Sequence, residues 1–492
     1  MAAPAKQRPP STPSLDSRWW MLLGALGLGA AAIYLMMRAP TDPRPSGQER
    51  EPAEGGGSAT SLAASPDGAT VIGARCTIDS ARPGFHIREQ SQAAPAPAPP
   101  ASLDGGDEPE EPLGIPSIVL GRATRTSAAY VVGLRRDVGN ESLAELASVD
   151  PHTGEGRLIS LGRIRGDLDA PLAVADGSNA VAAILEPNAS GYALRLSRVI
   201  GSDVRPAAEI DQQRDESESY DVALGAAHAV VAWDEITKAG DRSAVLVATL
   251  DRAELGNAGK PRVVSGKDTD AEVPQLVARD SGFWLAYVAR RPLELAKRPT
   301  DKELDKDPDE DRHPAEMIQP SWIELVALDE AGEPTAPPRL LTPRTGHVQA
   351  FDLALGSEGG AMLAWRDDDT PTGSEGGRLS FMTVSPGGGT EEQVVADENI
   401  GLGAPSLLPG WLVATDTEGR ARLAPLSPEG ELLGQLRTEP ALGIGQVLAA
   451  DADSVLVAQT VAGGVDLLVA RCDRKPDPPT PVAPKASATG GP

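Results

Sequence analysis

A chain of 492 residues with 71 Asp and Glu against 45 Lys and Arg carries a formal charge of -26, a field that repels phosphate backbones and excludes nucleic acid as a partner. Aromatic residues make up only 3% of the chain, so a core has to be filled by Val, Leu, Ile and Ala. The 52 Gly and 45 Pro make turns abundant without reaching the level of a wholly low-complexity chain.

Residues 1–18 read as a cytoplasmic tail. Residues 19–37, WWMLLGALGLGAAAIYLMM, are uncharged and as a helix would span about 28 Å, close to the hydrocarbon thickness of a bilayer. Trp19, Trp20 and Tyr34 stand near its ends, where amphipathic rings favour the headgroup zone. The competing reading is a cleaved signal peptide with small residues at Ala30–Ala32, but apolar residues continue up to Arg38. The sequence therefore predicts a single uncleaved transmembrane anchor. Lys6, Arg8 and Arg18 on one side balance Arg38, Arg44 and Arg50 on the other, so flanking charge does not orient it. The two cysteines, Cys76 and Cys472, form a matched pair that suits an oxidising space, which predicts a periplasmic or extracellular C-terminal region on a single-pass membrane protein.

Residues 38–68 and 90–114 combine Pro, Gly and charge with few apolar residues, as does the tail 474–492; all three read as disordered linkers. Between the first two lies an apolar island, residues 69–89, containing VIGARC and GFHI. It needs a partner to pack on.

From Pro116 onward one pattern recurs: short apolar segments of five to eight residues closed by Gly, Asp or Pro, the signature of strands rather than helices. Units open at PSIVLG, PLAVADG, YDVALG, PQLVARDSG, FDLALGSEGG, PSLLPG and QVLAAD. They lie about fifty residues apart, except where a charged insert at 291–320 lengthens one. Seven units of four antiparallel strands, repeated radially, predict an all-β fold over residues 115–473: a seven-bladed β-propeller, with six or eight blades as neighbouring counts and a row of sandwiches as the competing architecture. The last unit holds three strands and would leave an edge open. The island at 69–89 supplies VIGARC or GFHI as the missing strand, which would set Cys76 beside Cys472 at the end of VDLLVARC and predicts a disulfide between them.

Units of the form P-x-apolar, Gly turn, apolar-Ala-Trp, strand and D-x-x-G turn resemble bacterial secreted or membrane-anchored propeller-like repeat proteins. That resemblance implies fold and not activity. Trp233-Asp234 lacks the Gly-His partner of WD repeats, and SPDGAT from Ser65 lacks the Trp of a sialidase Asp-box.

In such a ring the loops joining second to third strands open on the same face as those joining successive units. Asp137, Glu186, Asp234, Glu235, Asp367, Asp368 and Asp416 follow or end second strands, which predicts an acidic face able to dock a protein or another envelope component. No cofactor is expected, and a divalent cation is the one ion such a face would favour. Asp307, Asp309 and Asp311 are followed by Arg312 where a calcium loop needs Gly. No H-E-x-x-H, G-x-S-x-G or phosphate-binding Gly loop follows a strand, so catalytic residues are not assigned. The leading expectation is a protein-binding or scaffold module; the alternative is a propeller glycan hydrolase or lyase with carboxylates in the central cleft. The sequence carries no signal for oligomeric state.

Overall fold

The computed structural model describes residues 72–79, 84–89, 117–165, 168–188, 191–212, 219–237, 242–292, 320–368, 377–387, 389–396 and 400–476. The expected transmembrane helix 19–37, both linkers, the end of the C-terminal tail and residues 293–319 of the charged insert lie outside the described residues. What is described is all-β, with two 3-10 turns at Ser357–Gly359 and Pro440–Leu442.

The strands form seven antiparallel sheets, six of them meanders in chain order and the seventh a three-strand meander completed by N-terminal strands, arranged in a ring as a β-propeller. The first strands of blades 1 to 7 are Ile118–Arg125, Leu172–Asp176, Tyr220–Leu224, Asp270–Arg279, Val348–Leu355, Ser406–Leu408 and Gln446–Ala450. First strands contact one another from blade 1 through blade 6, and that of blade 7 contacts the first strand of blade 1 and the second strand of blade 6, so they line the centre. Six and eight blades are thereby excluded, as is a row of sandwiches.

The continuous apolar runs have a direct explanation in this geometry. Along a strand, successive side chains point to opposite faces of the sheet, and a blade is covered on both faces by its neighbours. In His228–Ile236 of blade 3, Val230 and Ala232 pack with Phe283 and Leu285 of blade 4, while Ala229, Val231 and Trp233 pack with Leu194 and Leu196 of blade 2. Seven buried clusters fill seven blade interfaces. An open stack of seven blades would have one interface fewer. The closing cluster joins Leu456 and Leu467 of blade 7 to Tyr130 and Val132 of blade 1.

Closure by the two chain ends is confirmed, with both candidate segments used rather than one. Ile72–Ile78 pairs with the far half of Gly464–Pro476, from Ile72 opposite Pro476 to Ile78 opposite Ala470. Phe85–Arg88 pairs with the near half, from Phe85 opposite Leu467 to Arg88 opposite Gly464. Together they make a broken outer strand for blade 7. The third strand runs to Pro476, past the expected boundary at 473, because Ile72–Ala74 extend the ladder. Cys76 and Cys472 are register partners joined by a disulfide, Cα atoms 4.0 Å apart across a sequence separation of 396. Both are buried between blades 6 and 7.

Candidate functional site

Second strands of blades 1, 2, 3, 5 and 6 (Tyr130–Val138, Asn179–Asn188, His228–Ile236, Ala361–Asp367 and Trp411–Thr415) all run the same way relative to the ring. Their C-terminal ends therefore open on one face. Asp137, Glu186, Asp234, Glu235 and Asp367 end these strands, and Asp368 and Asp416 directly follow them, so the topology places all seven carboxylates on that face.

Each of them is engaged. Asp137 accepts from Ser142 Oγ at 2.5 Å and faces Arg135 Nε at 3.8 Å. Glu186 pairs with Arg195 at 2.8 Å. Asp234 is buried and accepts the Val273 N–H of blade 4 at 3.0 Å, while Glu235 accepts from Trp233 Nε1 at 3.3 Å. Asp367 accepts the His347 N–H at 2.7 Å. Asp368, with no side-chain exposure, takes a two-pronged bond from Arg366 at 2.9 and 3.0 Å. Asp416 accepts the N–H groups of Glu418 and Arg420 and the Arg420 guanidinium. Enclosure pushes the Asp416 carboxyl up, but these hydrogen bonds outweigh it and hold the group below the usual carboxylate range.

The face is thus an array of fixed carboxylates and arginines. One polar depression of about 240 Å³ opens on it, lined by Asp416, Thr417, Glu418, Arg420, Arg422 and Thr438. Among the described residues, no three His, Cys, Asp or Glu side chains converge in a way that could hold a metal ion.

A second constellation, not anticipated from the sequence, lies at the centre. In three consecutive blades the second position of the first-strand apolar segment is polar, Asp221, Gln275 and Asp352, and reaches to the next blade. Asp221 of blade 3 accepts the Leu276 N–H of blade 4 at 2.7 Å. Gln275 of blade 4 accepts the Leu353 N–H at 2.9 Å and donates to the Phe351 carbonyl at 2.8 Å in blade 5. Asp352 of blade 5 accepts the Leu407 N–H of blade 6 at 2.6 Å. From blade 1, Arg122 reaches across to Asp221 at 2.8 Å. Arg122 remains 43% exposed whereas Asp221 is 2% exposed; on an inner strand, that exposure is to the channel. Burial raises the Asp352 carboxyl to about 6, and Arg122 and two backbone N–H groups oppose the rise without cancelling it. The signal was present in YDVALG and FDLALG, where one Asp interrupts an otherwise apolar inner strand.

No protein-family model matches the chain, and no curated protein matches it. Solved structures do. The acylaminoacyl peptidase of Pyrococcus horikoshii matches at 12% identity over 71% of this chain and 51% of that one, with a TM-score of 0.44. The polysaccharide lyase Uly1 matches at 9% identity over 82% and 99%, TM-score 0.48. The β-propeller domain of the Trilobed protease from Pyrococcus furiosus matches at 10% identity over 73% and 95%, TM-score 0.42. This chain spans about half the length of the acylaminoacyl peptidases it matches. None of these likenesses carries an argument about activity.

Proposed function

We propose that this protein is a binding or scaffold module: a propeller held at a membrane by residues 19–37, lying in the periplasmic or extracellular space, and contacting a protein or another envelope component through its acidic loop face. The observation that carries the reading is the placement of seven carboxylates on one face, of which Asp137, Glu186, Glu235 and Asp367 keep part of their surface open while Asp234, Asp368 and Asp416 are buried and order the loops beneath, each held by a hydrogen bond or ion pair. Side chains already fixed lose little freedom when a partner docks, which favours binding by a preordered surface. The buried Cys76–Cys472 disulfide supports the oxidising compartment.

Crosslinking and capture from membranes tests the reading, with three full-length forms: the natural chain, one lacking residues 295–314, and one carrying Asp137→Asn with Glu186→Gln. A partner set that weakens in the charge-neutralised form, with a shallower salt dependence, supports the face. An identical partner set in all three forms sinks it. A C-terminal alkaline phosphatase fusion is expected to be active; an inactive, stably expressed fusion would place the ring in the cytoplasm.

A further inference from the structure

We propose that Val273 is the apolar anchor of the acidic face, held out in a strained backbone to receive a partner segment that carries an apolar side chain between Lys or Arg residues; this rests on the docking reading of that face and adds the chemistry of the partner. Among the described residues, three other than glycine have a positive φ: Leu255 at 48°, Val273 at 54° and Glu358 at 52°. The fold accounts for two of them. Leu255 is fully buried and its side chain fills the cluster between blades 2 and 3, so packing offsets the strain. Glu358 is unbranched and stands in the tight turn Ser357–Gly359, with Gly356 before it and Gly360 after it.

Neither reason holds for Val273. It is β-branched, which makes the left-handed region especially unfavourable. It precedes Pro274, and a proline normally drives the residue before it to extended backbone. Its side chain is 41% exposed, so packing does not offset the strain. Such a conformation persists only where its surroundings enforce it, and it gathers at functional sites.

The enforcement is visible. Val273 and Pro274 form a bulge opposite the single residue Tyr287, near the end of the blade 4 inner strand that opens on the acidic face. The Val273 N–H donates to Asp234 of blade 3 at 3.0 Å, and three residues on the Leu276 N–H donates to Asp221 of the same blade at 2.7 Å. Between them Gln275 is tied to the Leu353 N–H and the Phe351 carbonyl of blade 5. Two buried carboxylates are thus committed to a segment that lifts an apolar side chain into solvent.

The charge around Val273 selects the partner. Glu272 precedes it and pairs with Arg290, both part-exposed, while Asp234 and Glu235 stand across the blade boundary. Three carboxylates against one arginine surround an apolar point with negative charge, which a cationic segment bearing an apolar side chain complements. An anchor already fixed in place loses little freedom when that segment docks.

The full-length protein is titrated with three fluorescein-labelled synthetic peptides, alternating Lys with Leu, Lys with Gly, and Glu with Leu. The Lys–Leu peptide should bind most tightly and the Glu–Leu peptide least. Val273→Gly, whose backbone accepts a positive φ, should weaken binding of the Lys–Leu peptide by about fivefold or more and leave that of the Lys–Gly peptide unchanged. Its melting temperature should rise by about 1–4 °C as the strain is removed. Val273→Thr keeps the branch and the strain, so it should melt with the natural chain and still bind the Lys–Leu peptide more weakly. An equal preference for Leu in all three proteins, or a lower melting temperature for Val273→Gly, overturns the anchor and leaves the docking reading of the face standing. Lys peptides that bind no better than the Glu–Leu peptide sink that reading, and the anchor with it.

Discussion

At the scale of single residues, the fully enclosed Arg366–Asp368 pair is the most exacting feature of the acidic face. Its two bonds are 2.9 and 3.0 Å, and the side chains are 4% and 0% exposed. Removing one partner strands a buried charge, so Asp368→Ala is expected to lower the unfolding free energy by about 3–5 kcal/mol in a denaturant titration, whereas replacing both residues with apolar ones of similar size should cost far less. Asp416 carries a pH prediction of its own. Its folded carboxyl is held below the ordinary value, so its contribution is present above that value and disappears as pH falls through the folded one. The melting-temperature gap between the natural chain and Asp416→Asn should therefore narrow from pH 6 toward pH 3. These roles were invisible in the sequence for a physical reason. Asp137, Asp234 and Asp416 read alike as acids at strand ends, and only the folded chain brings Ser142, Val273 and Arg420 to them.

At the scale of elements, the strands were legible because alternation is local and blades are covered on both sides. The apolar run of His228–Ile236 and the turn residues bounding it define the strand without help from its neighbours. Outer strands were less legible. Arg262–Val263, Arg339–Leu340 and Arg437–Thr438 are two residues long, since the outer edge of a blade gains little burial and its sequence is under weaker constraint. Gly133 shows what tight blade contact demands: a Cβ built there would collide with the Pro171 carbonyl of blade 2. Gly133→Ala is expected to destabilise the ring by about 1–3 kcal/mol, read as a lower denaturation midpoint. The clasp strand is the other element with a measurable consequence. Cys76→Ser with Cys472→Ser removes a bridge that closes a very long loop, worth up to roughly 5 kcal/mol in the chain-entropy view. The variant should also release residues 72–88 to a protease earlier than the rest of the ring.

For the whole molecule, closure was predictable because an unfilled edge in the last unit and an isolated apolar island upstream are two deficits with one remedy. Ending the chain's third-strand ladder without that island would expose the edge of Gly464–Pro476, so a form lacking the first 89 residues is expected to self-associate in size-exclusion chromatography, where the full ring should not change with the same dilution. The central charges were not predictable in the same way, since Arg122 of blade 1 and Asp221 of blade 3 meet only after the blades have been bent into a circle. That Ile72 stands opposite Pro476 bears on how the molecule can be re-engineered. The polypeptide enters and leaves the ring at neighbouring points, on the side away from the carboxylate face. A short peptide could splice residue 476 to residue 72, and new ends could be cut at a hairpin such as Gly139, giving a permuted ring whose clasp is a continuous turn instead of a sulfur bridge.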